Sequence, residues 1–240
     1  MIEIIPAIDL IDGKCVRLSQ GDFSRSVVYN ERPLEVAKRF ESAGLRRLHI
    51  VDLDGAKTGK LSNVKVLEEI AKDTRLTIDF GGGIRTDEDV KAVFDAGASM
   101  ANVGSVAIKE AARFTSWVDH YGSNRFLLGA DVRDGMLVTD AWQRETDQEI
   151  VPFLAASLAK GIRGVFVTDV SKDGVLGGPS IDLYRRIVRA LPNLRLIASG
   201  GVSSAGDIAK LEEVGCSGVI LGKAIYEGWI MLEELSSYAG

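Results

Sequence analysis

The sequence predicts a closed (β/α)8 barrel of the α/β class on three observations: eight short apolar runs alternate with eight longer amphipathic segments, the runs lack strict alternation, and glycines cluster where the runs end. Strands buried on both faces read as near-continuous Val/Ile/Leu runs, the pattern of a parallel sheet. Strict βα alternation closes such a sheet into a barrel, with an open doubly wound sheet as the rival. The length of 240 residues suits one barrel of about 250 residues, so one domain over residues 1–240 is expected.

The strands are expected at Ile4–Asp9, Leu48–Leu53, Leu76–Phe80, Met100–Gly104, Phe126–Asp131, Gly164–Asp169, Leu194–Ser199 and Gly218–Gly222. The helices are expected at Pro33–Ala43, Asn63–Lys72, Asp87–Ala96, Glu110–His120, Glu149–Lys160, Ile181–Ala190, Ala205–Val214 and Glu227–Tyr238. One connection is longer than the rest. Between Gly13 and Glu31, Lys14–Leu18 and Val27–Tyr29 alternate like a small hairpin. A long first βα loop lies over the catalytic face of a barrel, which predicts a lid.

Hydrophobic residues make up 46% of the chain, enough for a sizeable core, and the net charge of −5 argues against a nucleic-acid surface. An anionic ligand remains compatible with that charge, because a local pocket can oppose the global sign. Cys15 and Cys216 form neither a disulfide framework nor a metal spacing, and read as reduced, packed thiols in a cytoplasmic protein. Met1-Ile2-Glu3 lacks the basic start of a signal peptide, and no apolar run reaches the roughly 18 residues of a membrane helix.

The chain repeats itself. At an offset of 118, Gly82, Gly83, Asp89, Gly97, Ser99 and Gly104 fall without gaps on Gly200, Gly201, Asp207, Gly215, Ser217 and Gly222. At 117, Val51-Asp52 falls on Thr168-Asp169, and at 122 Asp9 falls on Asp131. Any two βα units share turn glycines, but an ungapped match that also keeps Asp, Ser and the apolar pattern points to two duplicated half-barrels, about 1–120 and 121–240. A site in one half then has a pseudo-twofold partner in the other.

Two such partners stand out. Gly81-Gly82-Gly83-Ile84-Arg85 follows a strand and opens a helix, and Gly104-Ser105 follows the next strand. Glycine lets an anion approach backbone N–H groups at a helix N-terminus, where the dipole favours negative charge. Ser199-Gly200-Gly201 and Gly222-Lys223 repeat the arrangement after strands seven and eight, a recurrent phosphate site in barrels. A structural turn is the rival for either glycine pair alone. Arg85 and Lys223 add charge at the rims, where a solvated surface cation is the rival.

Asp9 and Asp131 end the first and fifth strands, which are diametrically opposed in an eight-stranded barrel. Neither precedes a helix directly, which weakens a capping role. Two carboxylates so placed flank one ligand as acid and base, and the acid needs a raised pKa. Asp52, Asp169 and Asp173 are further acidic candidates. Asp52 and Asp169 occupy equivalent repeat positions and read as structural. Thr168 can donate a hydrogen bond. His49 either lines the barrel or is a packed strand histidine, the plainer reading; His120, at a helix end, carries no catalytic weight.

Ile5-Pro6-Ala7-Ile8-Asp9-Leu10, Asp12-Gly13-Lys14, Val16-Arg17-Leu18 and Gln20-Gly21-Asp22 closely resemble the phosphoribosylformimino-aminoimidazole carboxamide ribotide isomerase family of histidine biosynthesis. Val51-Asp52-Leu53-Asp54-Gly55-Ala56, Gly81-Gly82-Gly83-Ile84-Arg85, Asp131-Val132-Arg133, Thr168 with Lys172-Asp173-Gly174, and Ser199-Gly200-Gly201-Val202 extend the resemblance over essentially the whole chain. It implies a (β/α)8 TIM barrel and an Amadori rearrangement of a bis-phosphorylated aminoaldose to an aminoketose, without metal or cofactor and without an obligate protein partner. It further implies Asp9 as the general base at C2, Asp131 as the general acid that opens the ribose ring, and Thr168 as a supporting donor. Arg17 and Trp142 match mobile loops that fold over the substrate, and Gly174 falls in the phosphate-binding set. The Trp142 indole also offers a flat face for an aminoimidazole, with a buried loop anchor as the rival. The family often has Gly-Trp where this chain has Ala141-Trp142, which puts the closed loop geometry in doubt.

Three other readings compete. One is an isomerase that also accepts phosphoribosyl anthranilate. Another is the cyclase of imidazole glycerol phosphate synthase, which works with a glutaminase and usually carries Cys-Leu before the first aspartate. The third is a phosphosugar-binding barrel without activity, which would have no need of two opposed aspartates.

Overall fold

The computed structural model describes residues 1–19, 22–140 and 142–238. Gln20 and Gly21, which the resemblance uses, and Ala141, where it departs, lie outside the described residues. In chain order the strands are β1 (Glu3–Ile11), β2 (Lys14–Ser19), β3 (Asp22–Asn30), β4 (Arg47–Asp52), β5 (Thr77–Gly81), β6 (Met100–Val103), β7 (Phe126–Arg133), β8 (Met136–Thr139), β9 (Arg144–Glu149), β10 (Gly164–Asp169), β11 (Arg195–Ser199) and β12 (Gly218–Leu221). The helices are α1 (Pro33–Ser42), α2 (Leu53–Thr58), α3 (Val64–Asp73), α4 (Asp87–Asp95), α5 (Ser105–Lys109), α6 (Ala111–Tyr121), α7 (Ile150–Ala159), α8 (Ile181–Ala190), α9 (Ala205–Val214), α10 (Lys223–Tyr226) and α11 (Leu232–Leu235).

Eight of these strands pair in parallel in the order β1-β4-β5-β6-β7-β10-β11-β12, and β12 returns to β1. The sheet is a closed TIM barrel, and the open-sheet alternative falls. The apolar runs lack alternation because both faces of each strand are covered. In β1, Ile4, Ile8 and Leu10 pack outward against the helices, while Ile5 and Ala7 join Leu127, Ile197, Ile220 and Phe166 inside the barrel. Full burial of one such aliphatic side chain stabilises by about 1.5–3 kcal/mol. Helix starts follow local chemistry: Pro33 opens α1, and Thr86 and Ser204 each cap a helix by accepting the N–H of the Asp three residues on. Among the described residues, no helix is long and apolar enough to cross a membrane.

Four expectations need correction. Asp9 and Asp131 do not end their strands, because β1 and β7 run two residues further and turn into antiparallel hairpins. The Gly13–Glu31 connection is not alone in its length: β8 and β9 form a second hairpin after the fifth barrel strand. The single final helix at Glu227–Tyr238 is instead α10, α11 and a 3-10 turn, interrupted near Gly228, whose φ of 72° breaks the helix. Gly104 and Gly222 are each followed at once by a short helix, α5 or α10.

Candidate active site

A cavity of about 310 Å³ opens at the C-terminal ends of the barrel strands. The catalytic and phosphate-binding candidates from the sequence line it: Asp9, Asp131 and Thr168 in the middle, Arg17 and Trp142 from the two hairpin regions, Gly82, Gly83, Arg85, Gly104 and Ser105 on one side, and Gly174, Gly200, Gly201, Gly222 and Lys223 on the other; Asp52, Asp169 and His120 do not.

Asp9 sits where β1 pairs with both β2 and β4, opposite Val16 and Val51. That double pairing fixes its backbone and aims its carboxylate inward. Burial pushes its pKa up, Arg17 opposes that rise, and Asp173 adds to it. Arg17, on β2, reaches Asp9 at 3.6 Å and donates to Asp173 at 2.8 Å. One guanidinium thus joins the first hairpin, the first barrel strand and the loop after β10. Asp131 stands opposite Thr168 on β10 and Val138 on β8. Burial raises its pKa as well, against the Trp142 indole N–H and the Thr168 hydroxyl beside it, which favour the ionised form. So Asp9 faces a full cation and Asp131 faces neutral donors. Trp142 holds a left-handed backbone at φ 70°, an uncommon conformation for a bulky residue that turns the chain back toward the cavity.

The glycine loops match closely across the repeat. Gly82 and Gly83 have φ of 99° and 87°; Gly200 and Gly201 have 92° and 83°. Gly104 and Gly222, which open α5 and α10, have φ/ψ of −113°/−84° and −112°/−96°. Close approach forbids a side chain here: a Cβ on Gly82 would lie 2.1 Å from the Asp52 carbonyl oxygen, and one on Gly201 would lie 2.5 Å from that of Gly178. Asp52 and Asp169 hold the loops after β4 and β10, against which Gly83 and Gly201 pack. Asp52 accepts from the backbone N–H groups of Gly55, Ser62 and Asn63, and Asp169 accepts from Ser171 and Ser180. Lys223 donates to the Gly174 carbonyl at 2.9 Å and so ties the loop after β10 to the last cradle. Arg85 is exposed and lies over Gly59, at the rim.

Two features were hidden in the sequence. Asp173 was one acidic candidate among several, and its ion pair with Arg17 joins residues far apart in the chain. Beneath the first cradle lies a buried polar group. His49 Nδ1 is 2.5 Å from Asp79 Oδ1, and Arg47 Nε donates to Asp79 Oδ2 at 3.2 Å. Asn102 Nδ2 donates to Asp79 Oδ1 at 2.8 Å. With its charge so well met, Asp79 has a lowered pKa: His49 and Arg47 together outweigh the burial that raises it. His49 is packed, as expected, and still lines the cavity.

A family model described as histidine biosynthesis protein matches residues 3–231. The chain is 54% identical over 235 residues to a protein of Parabacteroides distasonis, covering 98% of each. It is 55% identical over 235 residues, again 98% of each, to one of Bacteroides thetaiotaomicron. With one of Flavobacterium johnsoniae it shares 50% over 237 residues, 99% of each. All three relatives carry the name 1-(5-phosphoribosyl)-5-((5-phosphoribosylamino)methylideneamino)imidazole-4-carboxamide isomerase. A match spanning nearly the whole barrel, and relatives this similar over their full length, place this chain in the histidine biosynthesis protein family.

Proposed function

We propose that this protein is an aldose–ketose isomerase that converts the bis-phosphorylated aminoaldose named in its relatives into the corresponding aminoketose. The observation that carries this reading is the placement of two half-buried carboxylates on opposed strands of one cavity, between two glycine cradles. Each cradle takes one phosphate. The ribose between them then spans the gap from Asp9 to Asp131.

Asp131 acts as the general acid. It protonates the ribose ring oxygen, and the nitrogen lone pair opens the ring to an iminium ion. Asp9 acts as the general base and removes the C2 proton, which leaves an enaminol. Protonation at C1 by the Asp9 carboxylic acid, with loss of the C2 hydroxyl proton to the Asp131 carboxylate, completes the ketose, so hydrogen moves from C2 to C1 and the reaction needs no redox partner. Thr168 orients Asp131. The Arg17 cation favours ionised Asp9. Burial raises the Asp131 pKa with neutral donors, not a guanidinium, beside it, so the division of labour follows the surroundings. We also read the chain as one domain built of half-barrels at about 1–120 and 121–240, a reading supported by the matched glycine geometry.

Turnover of the bis-phosphorylated aminoaldose by the purified protein tests the reading. Absence of turnover there, with ammonia-dependent cyclisation of the aminoketose instead, would make the protein the cyclase. A parallel assay with phosphoribosyl anthranilate tests for a second substrate.

A further inference from the structure

The repeat that matches the two cradles does not match what lies beneath them. At the same offsets, His49 corresponds to Phe166, Asp79 to Ile197 and Asn102 to Ile220. Phe166, Ile197 and Ile220 belong to the apolar cluster inside the barrel. The first half therefore has a polar floor where the second half has an oily one, and the two meet where His49 packs edge-on against Phe166, with centroids 5.0 Å apart.

Burying that polar group is expensive unless every member is satisfied. Asp79 is satisfied, by His49, Arg47 and Asn102. Asn102 is not: its Oδ1 is buried and has no partner among the described residues. Because Nδ2 must face the Asp79 carboxylate, Oδ1 is fixed as an acceptor, sealed off from the cavity that other atoms of Asn102 line. His49 is held the same way. Its Nδ1 is occupied by Asp79, so Nε2 is the ring nitrogen left for the cavity that the ring lines.

We propose that His49 Nε2 binds a hydroxyl group of the sugar between the two phosphates, and so fixes which way round the substrate lies. Asp79, with Arg47 and Asn102 beside it, is the positioning residue for that ring. The inference rests on the isomerase reading above. Two near-equal cradles cannot by themselves tell one phosphate from the other. A polar floor on one side only can, because a hydroxyl turned toward Phe166 and Ile220 would lose its hydrogen bonds.

The chain has two histidines, His49 and His120, which makes the ring nitrogens directly observable. In protein labelled with 15N-histidine, with His120→Gln used to assign the second ring, His49 Nδ1 is expected to be protonated. Titration with the aminoketose product should move the Nε2 resonance and leave Nδ1 protonated. His49→Phe, which copies Phe166 of the other half, should lower kcat/KM about tenfold to a hundredfold. Competitive inhibition by inorganic phosphate should stay within about twofold, since the cradles are untouched. Asp79→Asn should lower kcat by about tenfold to a hundredfold and scramble the His49 tautomer, if that variant folds; the labelled wild-type protein and His49→Phe decide the matter without it. A wild-type protein that turns over substrate while neither His49 nitrogen responds to saturating product overturns this inference and leaves the isomerase reading standing. So does a His49→Phe enzyme with unchanged kcat/KM. A wild-type protein with no turnover overturns both.

Discussion

Beneath the glycine loops of the first half stand His49, Asp79 and Asn102; at the corresponding places of the second half stand Phe166, Ile197 and Ile220. The loops above differ in φ by only a few degrees. A phosphate asks the same thing of either end: backbone donors, small residues and a helix start. Those demands keep the rims alike. The interior has no such demand in common, so one half fills it with packed hydrocarbon and the other with a carboxylate and its three donors. Both solutions support a barrel, and the difference between them is free to serve chemistry that is not symmetric.

The largest expected effect breaks the apparent equality of the two aspartates. Asp9→Asn should lower kcat by about 10³–10⁴-fold and remove the acidic limb of the rate profile, with substrate affinity within roughly tenfold. Asp131→Asn should lower kcat by about 10²–10³-fold and remove the alkaline limb. Ring opening then becomes slow, so the isotope effect from deuterium at C2 should shrink. An undiminished isotope effect, with the alkaline limb intact, would mean that Asp131 only positions the substrate.

The floors should respond oppositely to charge. Asp79→Asn removes the buried carboxylate beside Arg47, leaving it only the partly exposed Glu3, and should cost about 3 kcal/mol in urea unfolding at neutral pH. Because the folded pKa of Asp79 lies below its ordinary 3.8, this stability is present above pH 3.8 and is lost as pH falls through the folded value. The gap between wild type and variant should therefore close in acid. A gap that persists with Asp79 protonated would assign the loss to packing.

Alanine at the matched glycines sharpens the comparison of the rims. Gly82→Ala places a Cβ 2.1 Å from the Asp52 carbonyl oxygen, whereas Gly200→Ala places one 3.2 Å from that of Asp169. Both keep a positive φ, which alone costs about 1–2 kcal/mol. Gly82→Ala should be the worse by about 1 kcal/mol or more, because backbone has to move. Equal losses would show that φ alone governs these positions.

The smallest effect is a gain. Burial raises the Asp131 pKa above 3.8, so its ionisation destabilises the fold increasingly as pH rises through the folded value. Asp131→Asn should raise the melting temperature by a few degrees at neutral pH and not below pH 3.8. An unchanged melting temperature at neutral pH would mean that the Trp142 and Thr168 donors already offset the burial.

Much of the molecule was legible in its sequence, for reasons that also explain what was not. Buried strands announce themselves because both faces need apolar residues, as in Ile4–Ile8. The first hairpin shows through the alternation of Lys14–Leu18. The second stayed hidden because Arg144–Glu149 is polar throughout and mostly exposed, with no buried face to leave a pattern. Asp9 and Asp131 were found by their place on opposed strands and by the repeat. Asp79 sits mid-strand, and its meaning lies with Arg47 and Asn102 on neighbouring strands, which linear spacing does not reveal. The Arg17–Asp173 pair forms only once the barrel has brought β2 to the loop after β10.

Closure of the barrel by β1 and β12 also governs how the chain reaches its native state. Glu3–Pro6 pairs with Gly218–Leu221, almost the whole chain apart. During synthesis the first half can assemble β1-β4-β5-β6 as an open sheet, but its outer edges on β1 and β6 then wait for β12 and β7. Unpaired edges recruit other chains, so the half-made barrel is the species most prone to aggregate. The last step joins the most distant partners and bears the greatest loop-closure entropy. Slow refolding should therefore track the docking of β12, and crowding by other nascent copies should lower the yield at that stage more than at any other.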